Sequence, residues 1–519
     1  MQQFIARFGK LIQGVVSGFD RLLFRGSLRN LNHAHGMEVY LYMNDILFKD
    51  YAEHVKGLSQ RIKQASIAPV LEQSLPVRYL ERGNIDKDRL ARQIAAERGI
   101  RSGDVCVLSA MELAPTFRHE RTHMVIGKRP SLALYHYFIH PEFGWMHARI
   151  QTWFPFAIHI YINGREWLAR RMDREGLGYV RRDNCFPWIE DYGRAQQFLD
   201  EQRTMNWATS FQPLVDRLNP LHGEIFGKFE TSYYWTVAQC EWATDIVFQA
   251  GALERLSPRF LEHGMLSFSS ADVMQFLGRK MQLDGAIPTR FAGEVTTSFR
   301  RRATGDRIKH SLNGNSLKCY GKAHTLVGDL FRVETTTNQV EDFKVYRPKE
   351  GGPDDQLKWR TMRRGVADLN RRAEISQHAN ERYLNALSTV DDSTPLWELV
   401  RRLEQPCQMG TRRVRALHPF SAEDHALLKA VNRGEFALHG LRNRDLQALL
   451  FTPAATLSAV EKRRRTARVS RQLRLLRAHG LIQKVPHTHR YQVTTAGRLI
   501  ITAVLTADRS SLAQLKIAA

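Results

Sequence analysis

Tyr320 and Lys322 stand two residues apart in SLKCYGK (Ser316–Lys322), and Arg332 and Glu334 stand two apart in LFRVETT (Leu330–Thr336). On extended chain the side chains repeat with period two, so each pair shares one face of its strand. If the two strands pair as a hairpin, Tyr320 or Lys322 comes near Glu334. Asp20, set between apolar neighbours in GFDRLLF (Gly18–Phe24), could join them from an N-terminal strand, and Glu294 in GEVTT is a further carboxylate. Carboxylates gathered on a sheet are the usual way to hold Mg²⁺ or Mn²⁺ against a phosphate. A tyrosine beside such a metal can attack a phosphodiester and keep the strand as a covalent ester. The expected assignment is therefore Asp20, Glu294 and Glu334 for the metal, and Tyr320 and Lys322 for catalysis. The same residues also fit a plain antiparallel sheet. Arg332, Glu334 and Lys322 would then be cross-strand ion pairs on a solvated face, which contribute little.

A second stretch points to DNA. Glu461–Gly497 reads EKRRRTARVSRQLRLLRAHGLIQKVPHTHRYQVTTAG. Val469, Leu473 and Leu476 fall at helical spacing and give one face to pack. Arg463, Arg464, Arg465, Arg468 and Arg471 crowd the N-terminal end away from that stripe, with Arg474 following. Gly480 sits where a helix C-cap glycine belongs. Two short alternating runs, Leu481–Val485 and Arg490–Thr494, are joined by Pro486-His487-Thr488-His489 and predict a hairpin with a basic tip. A further helix is expected after Thr495, and two more upstream, at Ala422–Val431 and Asn443–Phe451. Arginine on such a helix can contact phosphates or read guanine edges, which makes Arg463, Arg464, Arg465, Arg468, Arg471, Arg474, His487, His489 and Arg490 the expected DNA contacts.

Helix, helix, arginine-rich helix and hairpin, in that order, resemble a winged helix-turn-helix domain of the MarR-like kind. That resemblance implies a second motif helix in the major groove. The YxK followed by an R-[VI]-E strand resembles the pattern of rolling-circle replication initiators and conjugative relaxases, over 30–40 residues. It would imply metal binding by Glu334, with Asp20 as a further ligand, and nicking by a tyrosine. Two features of that pattern differ here. AIHIYIN (Ala157–Asn163) has one histidine where a pair would stand, and the usual aspartate or asparagine inside YxK is Gly321. Over its whole length the chain is similar to a family of uncharacterised bacterial proteins. The shared pieces are GFDRLLFRG, INGREWLARRMD (Ile162–Asp173), RIKH with NGNSLK (Arg307–Lys318), RVETT and LRLLRAHGLI (Leu473–Ile482). That similarity implies no activity.

Composition sets the bounds. With 519 residues the chain has room for two to four domains, and at 43% hydrophobic it can build real cores. Its net charge of +23 and isoelectric point near 10.0 suit a polyanionic partner, because Lys and Arg gain free energy by releasing counterions from nucleic acid. No apolar run is long enough to span a bilayer and no secretory signal stands out, so no membrane partner is expected. Interfacial binding by the amphipathic, basic N-terminal segment stays open as an alternative. The five cysteines are scattered without CxxC spacing, which argues against a disulfide framework or zinc ribbon and for a reduced, cytoplasmic, bacterial setting. Winged-helix proteins often pair, so a homodimer is one expectation, although no heptad run compels it.

The elements that must position these residues read as an α+β, or mixed α/β, multidomain body with a C-terminal winged helix-turn-helix. The expected blocks are 1–130, a mixed α/β unit; 131–285, β-β-α and then helical; 286–405, β-rich with a helical extension; 406–420, a basic linker; and 421–519, the winged helix. Phe4–Val16 is helical in pattern, Phe19–Phe24 extended, and Asp104–Ser109 a short buried strand. Leu132–Ile139, Trp145–Thr152 and Ala157–Ile162 are further strands. They carry His136, His140, His147 and His159, which could serve metal or acid–base chemistry but more simply decorate an aromatic sheet. Residues 201–285 read as mostly helical, with Trp207, Trp235 and Trp242 as core anchors. Two functions fit: a metal-dependent, strand-nicking DNA enzyme of a plasmid or mobile element, or a non-enzymatic DNA-binding regulator or accessory factor. A sheet that stacks RNA bases on the aromatics of 132–162 is a weaker third.

Overall fold

The computed structural model describes residues 1–81, 85–266, 268, 270–278, 294–302, 305–349, 353, 357–388, 396–433, 436, 440–451, 458–485 and 488–510. The chain is mixed α/β and divides into two compact units, neither continuous in sequence. One comprises Ile12–Gly251 and Gly321–Gln377; the other comprises Met1–Leu11, Ala252–Tyr320 and His378–Ala519.

The sheet of the first unit includes β1 (Ile12–Leu28), β2 (Val77–Tyr79), β3 (Gly103–Glu120), β4 (His123–His140), β5 (Gly144–Gln151), β6 (Ile158–Asn163), β7 (Tyr233–Phe248) and β8 (Asp329–Thr336). They lie in the order β8-β7-β1-β6-β5-β4-β3-β2. Every neighbouring pair is antiparallel except β2 with β3. One face is apolar. Phe24, Leu134, Phe138, Met146, Ile150, Ile158, Ile160 and Ile162 meet the helices Ala34–Met43, Tyr51–Glu72 and Trp207–Leu218 in one core. Phe24 packs 5.0 Å from Trp207 and 4.7 Å from Phe211, centroid to centroid. Each such buried side chain contributes roughly 1.5–3 kcal/mol. Alternation then puts the intervening residues, Arg21, Tyr161, His159, His147 and Arg149 among them, on the opposite face. The register confirms it: Leu23 faces Tyr161, Tyr161 faces His147, and His159 faces Arg149.

Several local readings meet a tertiary override. The N-terminal helix stops at Phe8, and β1 begins at Ile12. Helical spacing in Phe4–Val16 loses there to β-branched Val15 and Val16 and to a seventeen-residue strand flanked on both sides. A Cβ at Gly14 would come within 2.4 Å of the Tyr192 ring, so only glycine fits that close approach. Asp104–Ser109 is the start of an eighteen-residue strand that returns through Arg121, at φ 52°, into β4. The largest departure is β7: sixteen extended residues in a stretch that reads as helical.

In the other unit, Thr296–Arg302, Gly305–Leu312 and Asn315–His324 form an antiparallel meander. The last of these crosses from one unit to the other between Tyr320 and Gly321. Tyr383 is buried there, its hydroxyl 3.2 Å from His310 Nε2 and 3.1 Å from Cys319 Sγ. Residues expected as a plain basic linker hold a small hairpin, Cys407–Met409 with Arg412–Val414, and Arg415 binds the buried Asp424 through both guanidinium nitrogens at 2.8 and 2.6 Å. The helices Ala422–Val431, Asn443–Leu450, Ala459–Ala478 and Thr495–Arg509 follow, and Ile482–Lys484 pairs with Tyr491–Val493. Leu427, Leu446, Val469, Leu473, Leu476, Ile482, Ile501 and Val504 share one core. The basic helix starts at a capping box of Ser458 and Glu461 and ends before Gly480, at φ 71°. Among the described residues no helix is long and apolar enough to cross a membrane.

Candidate metal centre

Three carboxylates of the sheet unit converge. Asp20, Glu241 and Glu334 are all buried and offer oxygens that lie within 4.8 Å of one another. Oxygens on opposite sides of an octahedral magnesium ion stand about 4.2 Å apart, twice the metal–oxygen distance. The cluster is thus of a size to close on a cation, and it could hold one.

The register explains how the three meet. In the pairing of β8 with β7, Arg332 faces Asp245, Glu334 faces Ala243 and Thr336 faces Glu241. Glu334 and Glu241 are therefore diagonal neighbours on one face, within mutual reach. Asp20 comes from β1. There the pairing with β7 passes from Phe19–Trp242 to Arg21–Glu241, leaving Asp20 as the extra residue of a β-bulge. A bulge puts two residues against one and re-aims a side chain. Both Asp20 and Arg21 accordingly reach Glu241, Arg21 with its Nε 3.8 Å from Glu241 Oε2. Gln239 donates to Glu241 Oε1 at 2.9 Å.

Behind the triad lies a buried arginine–carboxylate network. Arg332 donates from Nε and Nη2 to the two oxygens of Asp245, at 2.5 and 2.8 Å. Its Nη1 donates to Asp20 Oδ1 at 2.9 Å and its Nη2 to the Asn184 carbonyl at 2.7 Å. The Asn184 side chain donates to the same Asp20 oxygen at 2.5 Å, presented by a turn whose Asp183 has φ 49°. Arg165, also fully buried, reaches Asp245 at 3.0 Å and the Ala243 carbonyl at 3.1 Å. Local sequence places it: Asn163 Oδ1 caps the helix Gly164–Glu175, accepting from Arg165 N at 2.8 Å. A Cβ on Gly164 would lie 2.0 Å from the Phe19 carbonyl oxygen, so the helix can start this close to β1 only on glycine.

Electrostatics follow from this packing. Burial would push the Asp245 carboxyl up, but Arg165 and Arg332, with Lys322 further off, hold it below the usual carboxylate range. Burial also depresses Arg165, with Arg332 adding like-charge repulsion. Arg21 loses solvation, yet Tyr161, Asp20, Glu241 and Glu334 raise its pKa above the ordinary value. The Tyr161 hydroxyl is pushed up to about 12, chiefly by burial, with Asp20 and Glu241 adding to the rise. In the buried layer Asp20, Glu241, Glu334 and Asp245 lie beside Arg165 and Arg332, with Arg21 and Lys322 less buried near them. Buried charge needs compensation, and a divalent cation supplies two positive charges.

Asp20 and Glu334 are thus brought together, and Glu294 is not one of the group. It is exposed ahead of the strand Thr296–Arg302, in the other unit, and Glu241 takes the third place. Lys322 sits in the sheet unit, near enough to act on Asp245. Tyr320 belongs to the other unit, buried, with Arg307 as its cross-strand neighbour. Sequence reading missed Glu241, Asp245, Arg165 and Asn184. The aromatic and β-branched richness of Tyr233–Phe248 was the available signal for the first two. Of the histidines, His136 bonds Ser66 Oγ at 3.0 Å and its pKa is lowered to about 3 by burial, and His140 Nδ1 accepts from Glu142 N and Phe143 N. His147 stacks on Tyr161, and burial lowers both His147 and His159 to about 4.

Of the expected DNA contacts, Arg463, Arg464, Arg468, Arg471 and Arg474 are exposed on the helix Ala459–Ala478. Arg465 is half-buried over the Phe451 ring, and Arg468 also pairs with Glu423 at 3.0 Å. His489 is exposed and Arg490 half-buried beside the hairpin; His487 lies outside the described residues. No family model, no curated protein and no solved structure matches this chain.

Proposed function

We propose that the chain is a metal-dependent DNA strand-cleaving enzyme of a bacterial mobile element or plasmid, with Asp20, Glu241 and Glu334 holding Mg²⁺ or Mn²⁺. The observation that carries this reading is the convergence of three buried carboxylates from three strands. A cation held there would polarise a phosphoryl oxygen and lower the pKa of a bound water. Arg21, half exposed beside the triad, supplies a positive charge for the non-bridging oxygens, and Arg332 fixes Asp20 by a charge-assisted bond. The three helices and hairpin of 422–493 support a winged helix-turn-helix that selects the duplex, with Ala459–Ala478 as the helix facing DNA. Hydrolysis and tyrosine attack leave different products, and only the second leaves protein linked to DNA.

The test is supercoiled and single-stranded DNA incubated with Mn²⁺ or with EDTA and resolved on denaturing gels. Wild type should cut only with metal, and Glu334→Gln should cut on the order of a hundredfold more slowly, since it loses one anionic ligand from a site that stabilises charge by several kcal/mol. Equal cutting by the variant would remove the triad from the chemistry.

A second reading is a non-enzymatic DNA-binding factor, favoured by one observation: Asp20, Asp245 and Glu241 each have an arginine partner. Both readings expect salt-sensitive duplex binding. Replacing Arg463, Arg464 and Arg471 together by alanine should flatten the slope of log K against log salt by roughly 2–3, about 0.9 for each phosphate no longer neutralised. An unchanged slope in a fluorescence titration would take DNA binding away from this helix.

A further inference from the structure

A two-stranded ribbon in the sheet unit, Lys344–Arg347 paired with Lys358–Thr361, contributes no residue to the triad or its network. Tyr346 and Trp359 face each other across it. Their ring centroids are 5.4 Å apart, and the residues are 54% and 60% exposed. The reverse face is spent on folding, since Val345 packs with Val340, Phe343, Met362 and Ile375. The aromatic face is thus turned outward by alternation. It is flanked by positive charge. Arg371 lies 5.9 Å from the Trp359 ring, held by Glu374 at 2.8 Å and by the Lys344 carbonyl at 3.3 Å. Lys344 shares the outward face with Tyr346 and is exposed. Among the described residues Lys344 pairs with no carboxylate.

Two rings displayed beside cations suit one ligand above others: a chain of unpaired bases, whose faces stack on aromatics while the phosphates meet the cations. A duplex keeps its base faces covered, and an acidic peptide has no flat rings to offer. We propose that this ribbon is a stacking platform for single-stranded nucleic acid. It deepens the strand-cleaving reading by naming the form of the substrate, and it rests on that reading only for the class of polymer.

The test uses the full chain in EDTA, with a fluorescein-labelled twenty-nucleotide oligothymidylate and a duplex of equal length, followed by anisotropy. Tyr346→Ala/Trp359→Ala should bind the single strand at least about tenfold more weakly, because each stacked base contributes a several-fold factor or more. Duplex affinity should stay within about twofold. Trp359→Phe keeps a stacking ring, so it should bind as wild type does while losing the quenching of tryptophan emission that the oligonucleotide produces. A merely structural aromatic pair would lower the melting temperature of the double variant and leave single-strand affinity unchanged. That result overturns the platform, and so does equal weakening for duplex and single strand, or the same quench in Trp359→Phe. The gel assay with Glu334→Gln reads the triad independently: metal-dependent cutting with a silent ribbon leaves the triad standing and the platform refuted.

Discussion

Replacing Arg332 by leucine is expected to lower the stability of the sheet unit by roughly 3–5 kcal/mol, the range found when one partner of a buried ion pair is removed. Arg332 donates twice to Asp245, once to Asp20 and once to the Asn184 carbonyl, and it is fully enclosed. Leucine fills part of the volume but leaves Asp20 and Asp245 short of positive charge. The loss should appear as a drop of about 10 °C in the unfolding of this unit, at 2–4 °C per kcal/mol for a unit of this size. The sign of the pH dependence follows from Asp245. Its folded pKa is held below the unfolded value, so its contribution is present above the ordinary carboxylate pKa near 4 and is lost as pH falls through the folded value. In the variant that contribution is diminished. The gap between wild type and variant should therefore be widest above about pH 5 and narrow in acid. Thermal melts followed by tryptophan emission from pH 3 to 8 would show it. A variant melting within a degree or two of wild type at neutral pH would mean that the network contributes little.

The second large effect concerns Glu241. Without a cation, three carboxylates with oxygens within 4.8 Å of one another repel. Glu241→Gln removes one charge from this group, keeps the oxygen that accepts from Gln239 and weakens a long ion pair with half-exposed Arg21. In EDTA the variant should melt higher than wild type. With Mn²⁺ at a hundred times its dissociation constant, wild type should gain about 2.7 kcal/mol by mass action, while the variant gains much less, so the order inverts. Calorimetry with and without Mn²⁺ reads both halves. A wild type whose melting Mn²⁺ leaves unmoved would show that the triad takes no cation and would return the acids to a structural role.

Short-range chemistry in this chain was legible in the sequence. The glycine cap at Gly480, the hairpin after it and the extended run Leu330–Thr336 are encoded within a few residues, and these elements form where their signals stand. Asp20 could be singled out as an acid in a largely apolar extended run, and Glu334 by its two-residue spacing from Arg332 on one strand face. Glu241 and Asp245 could not be placed, since their strand reads locally as helix. The carboxylate at Glu294 failed for a different reason. Its local pattern resembles that of Glu334, and only tertiary placement separates a residue on a fully buried strand from one at an exposed strand entry. Arg165 was hidden because its part depends on a helix start approaching β1, a contact between residues 19 and 164.

The bond between Asp20 and Arg332 joins residues 312 positions apart. On a ribosome adding 5–20 residues each second, that spacing is a wait of roughly 15 to 60 s. During it β1 has left the tunnel, and so have Asp20 and Asp245 once β7 is made, while Arg332, which bonds them both, is still to be translated. Until β8 arrives Asp20 lacks this guanidinium partner and Asp245 has Arg165 but not Arg332, so the network between β1, β7 and β8 stays incomplete. The chemistry that makes this centre a candidate for a cation thus also makes it late to assemble: of the eight strands, the one that carries Arg332 and Glu334 is the last that the growing chain supplies.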